Sequence, residues 1–161
     1  MATAVELFGA DLRLLGDLER QNDRDAGSDL FITKRAVTAS FDSDPIDLET
    51  IAGRENLQQA LLLRFVTRRG ELAILGHPDY GSRLYELIGE LNDQTRRNLA
   101  KLYTLEALGA EPRVKRVLSV TATQNPADRT RVDVAVKLIA IDGPTPLDFV
   151  FAVYSGAAVS P

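Results

Sequence analysis

The chain has 161 residues, 45% of them hydrophobic and 26% charged, with a formal net charge of −4, no cysteine, no tryptophan and a single histidine. That is enough apolar material for one core, and it excludes a disulfide framework, a cysteine zinc site and a generally basic, nucleic-acid-binding surface. Met1–Phe8 has no basic region ahead of an apolar run, and no stretch approaches the roughly 18–20 apolar residues of a membrane span, so neither a signal peptide nor a membrane segment is expected.

In chain order, residues 1–27 read as a flexible or lashing arm. The stretch Asp17–Asp29 is almost wholly polar, with Leu12, Leu14 and Leu15 ahead of it able to dock one short turn. Deleting residues 1–27 is expected to leave the rest folded. Weak alternation through Leu30, Ile32, Ala36, Thr38 and Ser40 predicts an extended segment, ended by a turn at Asp42–Pro45.

The first firm helix is predicted from about Arg54 to Thr67, where Leu57, Ala60, Leu61, Arg64 and Phe65 fall on one face. Gly70 follows as a candidate left-handed cap. After the apolar run Leu72–Leu75 and a loop at His77–Gly81, a second helix is expected over Ser82–Ile88. A third runs from about Asp93 to Leu108, with Asn92 as its cap and Leu99, Leu102, Tyr103, Leu105 and Leu108 as its buried face.

From Val114 onward the apolar period falls from helical to alternating. Leu118, Val120 and Ala122 mark one strand, Val132 to Ala140 a second, and Leu147, Phe149, Phe151 and Val153 a third. Turns at Gln124–Asp128 and Asp142–Pro144 make the three an antiparallel meander. The expected fold is therefore α+β: three helices packed on a small antiparallel meander, with the domain over 28–154 and a loose tail over 155–161. Ile139, Ile141, Val150 and Ala152 lie opposite the main apolar face, so that side of the sheet is covered either by the N-terminal segment or by a partner.

Three segments carry a resemblance. The first is Gly53-Arg54-Glu55-Asn56-Leu57-Gln58-Gln59-Ala60, followed by Arg64 and Thr67-Arg68-Arg69-Gly70-Glu71. The second is His77-Pro78-Asp79-Tyr80-Gly81-Ser82, with Leu84 and Ile88 after it. The third is Glu111-Pro112-Arg113. In this order, ahead of a meander, they resemble the gene-product-25-like family of baseplate wedge and sheath-initiator proteins, found in contractile phage tails, type VI secretion systems and extracellular contractile injection systems. The resemblance covers about residues 28–154; residues 1–27 lie outside it.

The resemblance implies a fold like the inner domain of sheath subunits and a structural, non-enzymatic role. It implies assembly in the cytoplasm into a phage-tail or injection-particle baseplate. The implied partners are sheath subunits, neighbouring wedge proteins and, at one remove, tube or hub proteins. It further implies that the sheet accepts extended sheath arms, with Phe149, Val150, Phe151, Ala152 and Val153 as the docking strand, and that Glu111, Pro112 and Arg113 meet the wedge core. A sheet edge is a row of unpaired amides and carbonyls, which makes strand addition physically sound. For Glu111 and Arg113 the alternative is a local ion pair at a helix end.

Arg64, Arg68 and Arg69 form a basic cluster in sequence. It reads as a solvated helix end, as a set of inter-subunit ion pairs, or as a nucleic-acid contact if it converges with Lys101, Lys115 or Arg116. Glycan hydrolysis is the competing function: it needs two carboxylates across a cleft, and Glu71 and Asp79, flanking the His77 loop, are the best-placed pair. One histidine without cysteine makes a metal centre unexpected, and no phosphate-binding or dinucleotide motif suggests a cofactor.

Overall fold

The computed structural model describes residues 2–21, 30–34 and 46–155. The expected residues Ala36, Thr38 and Ser40, the turn at Asp42–Pro45, most of the polar stretch Asp17–Asp29, and the tail beyond residue 155 lie outside the described residues.

The chain opens with a helix, α1 (Ala4–Phe8), fixed by a capping box: Thr3 accepts from the Glu6 amide, and the Glu6 carboxylate accepts from the Thr3 amide. Short strands follow: β1 (Ala10–Leu12), β2 (Arg20–Gln21), β3 (Ile32–Lys34), β4 (Ile46–Leu48) and β5 (Thr50–Ala52). β1 pairs antiparallel with β5, and β3 with β4. Then come α2 (Arg54–Val66), two single-turn 3-10 segments (Ala73–Leu75 and Leu84–Leu87), α3 (Gln94–Gly109), and the long strands β6 (Val114–Gln124), β7 (Arg131–Ala140) and β8 (Pro146–Tyr154).

β6, β7 and β8 form the expected antiparallel meander, and the α+β class holds. Alternation puts Val132, Val134, Val136, Leu138 and Ala140 of β7, and Phe149, Phe151 and Val153 of β8, on one buried face. The helices close that face. Phe65 of α2 stacks on Phe151 at 4.6 Å between ring centroids and reaches Phe149 at 6.2 Å. Arg54, at the first turn of α2, grips Asp142 through Nε at 2.6 Å and a terminal nitrogen at 2.8 Å, which ties the helix to the β7–β8 turn.

The N-terminal stretch is the main departure from expectation. Residues 2–21 dock on α2 rather than forming a free arm. Phe8 and Leu18 belong to the core. Three buried polar residues of α2 hold the arm's backbone: Asn56 donates to the Phe8 carbonyl, Gln58 donates to the Leu18 carbonyl, and Gln59 accepts from the Leu14 and Leu15 amides while donating to the Leu12 carbonyl. α2 is therefore buried on two sides, with leucines and Phe65 against the sheet and amides against the arm.

The arm ends by adding β2 parallel to β8, so the sheet order is β2–β8–β7–β6. The Val150 amide donates to the Glu19 carbonyl at 2.8 Å, and the Gly89 amide reaches the Tyr154 carbonyl at 3.3 Å. The third strand of the meander is thus not an open edge along this stretch.

Three smaller differences have local causes. Ser82–Ile88 forms a 3-10 turn over Leu84–Leu87 instead of an α-helix; Ser82 spends its hydroxyl on the Phe65 carbonyl and the Leu84 amide, tying the segment to α2. The cap of α3 is Asp93, which accepts from the Arg96 amide at 2.7 Å, while Asn92 bonds the Arg129 carbonyl. α3 buries Ala100, Tyr103, Thr104, Ala107 and Leu108, leaving Leu102 and Leu105 exposed. Leu118, expected inside, is exposed because register shifts between Val114 and Arg116 and between Val117 and Ser119 turn β6 partway along.

Candidate partner-binding site

The three segments that carry the resemblance converge on one cluster. The chain leaves α3 at Ala110 and places Glu111 under the C-terminal half of α2, with only 5% of the residue exposed. Its carboxylate accepts from two guanidiniums at once: Arg64 at 3.1 Å, and Arg113 through Nε at 2.7 Å and a terminal nitrogen at 3.2 Å. The guanidinium of Arg64 lies over the Tyr80 ring, 4.5 Å from its centroid. Arg64 Nε is buried with no hydrogen-bond partner among the described residues, so the ring face is what it meets.

Tyr80 is held in turn by its own loop. Gly81 has φ +103, and a Cβ there would sit 2.6 Å from the Arg68 carbonyl oxygen, so only glycine lets the two strands of this loop lie side by side. The Arg69 amide donates to Ser82, the Ser82 amide to Thr67, and the Gly70 amide to Tyr80.

Burial alone raises the pKa of Glu111. The hydrogen bonds and charge of Arg113 and the charge of Arg64 outweigh it, and the carboxyl sits below its ordinary value of 4.5. Its bonds to Glu111 raise Arg113, and burial raises Tyr80. The cluster holds two cations against one anion. Pro112 is exposed at its rim, and the Arg113 side chain is 28% exposed.

The other expected site residues disperse. Arg64 is not part of a solvated helix end; it is buried because Glu111 and Tyr80 enclose it. Arg68 lies over the Tyr85 ring at 5.4 Å, and Arg69 makes a loose 3.8 Å contact with Asp79; both are exposed, so buried Arg64 does not share a surface with them. In β8, the side chains of Phe149, Phe151 and Val153 are in the core, while Val150 and Ala152 point the other way and are half-buried. Glu71 caps the Arg68 amide at 3.1 Å, and the Asp79 side chain is 86% exposed. Among the described residues no group of three acidic or histidine ligands gathers to hold a metal, and no helix is long and apolar enough to cross a membrane.

Sequence reasoning missed Tyr80 as the lid on Arg64 and the amides Asn56, Gln58 and Gln59 as clamps. The signal for the clamps was present: three amides in four positions, ahead of the apolar run Ala60–Leu63, need partners once the helix is buried. The Thr3–Glu6 capping box was likewise readable.

No protein-family model matches the sequence, and no curated protein matches it. Among solved structures, the fold is similar to that of a Geobacter sulfurreducens protein described as a candidate tail lysozyme, with a TM-score of 0.53 and 24% identity, over 63% of this chain and 89% of that one. That likeness is one of fold.

Proposed function

We propose that the protein is a structural component of a contractile tail or injection-machine baseplate, joining the wedge to the first sheath ring. In this reading the fold resembles the inner domain of sheath subunits. The observation that carries it is the convergence of the three resemblance segments on the Arg64–Tyr80–Glu111–Arg113 cluster. Glu111 acts as a buried anchor that sets Pro112 and the exposed part of Arg113 at the surface, where a wedge neighbour makes contact. The surplus positive charge favours a carboxylate or carbonyl from that neighbour. The fold likeness to a protein described as a candidate tail lysozyme supports a place in a tail.

Sheath arms add to the sheet at the outer edge of β8, through the backbone of Val150 and Ala152. Among the described residues the chain's own Arg20 and Gln21 hold this edge by two parallel pairs, and an incoming strand exchanges with them. No catalytic step is assigned. Hydrolysis through Glu71 and Asp79 fits less well, because one carboxylate serves as a backbone cap and the other stands in solvent beside Arg69.

The test is co-purification with the neighbouring wedge proteins. Pro112→Ala combined with Arg113→Glu is expected to cut wedge capture at least about ten-fold, with thermal melting checked alongside. Wedge capture unchanged in a folded double variant contradicts the assignment.

A further inference from the structure

A regular strand sends consecutive side chains to opposite faces. Lys115 and Arg116 are consecutive in β6, yet both line one depression of about 350 Å³ together with Ile139 and Pro144. The cause is the irregularity between Val114 and Arg116: Val114 pairs with Ala140 and Arg116 with Ile139, which leaves Lys115 as an extra residue. Such bulges re-aim side chains, and here the result is two cations over an aliphatic floor.

The charges around this site are unbalanced. Both cations are exposed, and neither side chain has a hydrogen bond or ion pair among the described residues. The other cations of the long strands are paired, Arg131 with Asp133 at 2.6 Å and Lys137 with Asp148 at 3.2 Å. The acids close by are already engaged, since Asp142 serves Arg54 and Asp148 serves Lys137. β6 itself contains no acidic residue, in a chain whose formal net charge is −4.

We infer that this depression is a docking site for an acidic segment of a partner protein. Carboxylates pair with Lys115 and Arg116, and an apolar side chain of the same segment covers Ile139 and Pro144. The floor offers no aromatic ring for a base to stack on, and an acidic chain repels a phosphate backbone, so a protein segment fits better than a nucleic acid. The inference rests on the assembly-protein reading only in taking the partner to be a protein.

The test uses a fluorescein-labelled peptide alternating glutamate and valine, a glutamine-for-glutamate twin, and fluorescence anisotropy at low and high salt. The acidic peptide is expected to bind the wild type, to weaken with salt, and to bind Lys115→Glu/Arg116→Glu at least about ten-fold more weakly. The twin should bind as weakly as the acidic peptide binds the double variant, and Lys101→Glu should bind like wild type. Both cations are exposed, so the double variant should melt like wild type. Equal binding by the double variant, equal binding of the twin, or tighter binding of a DNA duplex each overturns the inference. So does self-association that the double reversal abolishes, since a second copy is then the occupant. Wedge and sheath capture by wild type with no peptide binding faults this inference alone; peptide binding without any capture faults the proposed function alone.

Discussion

Glu111 is a buried carboxylate shared by two arginines. Its carboxylate is desolvated, yet two guanidiniums hold it charged. Removing it leaves Arg64 buried without an anion, a loss on the order of 3 kcal/mol. Glu111→Gln should therefore lower the melting temperature markedly at neutral pH. A carboxylate whose pKa is depressed on folding contributes stability that is fully present above its unfolded value and is lost as pH falls through the lower, folded value. The melting-temperature gap between wild type and Glu111→Gln should thus be constant above about pH 5 and narrow as pH falls below the ordinary 4.5. A gap that stays constant into strong acid contradicts the charged anchor. At this scale the sequence offered Glu111-Pro112-Arg113 as a motif but not its partners. Arg64 and Tyr80 lie 47 and 31 positions away in sequence, and nothing in local spacing says that a last-turn arginine will turn inward.

The elements were legible where one period dominated. β7 alternates without interruption and β8 nearly so, and the meander follows from them. α2 was legible as a helix but not in its burial, because apolar spacing shows one face, while its second face is made of amides that the arm covers. The arm was misread for the same reason: its polar character suggested solvent, whereas its backbone is held by side chains from 40 to 48 positions away. Gln59→Ala removes the acceptor of two arm amides and the donor to the Leu12 carbonyl, and should destabilise by roughly 2 kcal/mol. Removing residues 1–21 should cost more, since Phe8 and Leu18 leave the core with it. Thermal melting of both variants checks this, and melting like wild type in either contradicts the docked arm. β6 escaped the alternation rule because its bulges exchange inside for outside partway along, and the same irregularity aims Lys115 and Arg116 together.

As a whole, the molecule is a small α+β body whose sheet carries its own arm on one edge and whose helix–strand junction presents Pro112 beside an anchored Arg113. Among the described residues two parallel pairs close that edge, and the proposed role requires a longer strand that makes more bonds to replace them. The most direct test of the sheath-joining role is capture of the sheath subunit of the same particle by wild type and by Val150→Pro, with circular dichroism confirming that both are folded. The proline removes the edge amide that now bonds Glu19. Wild type is expected to capture sheath and the folded Val150→Pro variant is not. Capture retained by Val150→Pro, or no capture by wild type, contradicts that role.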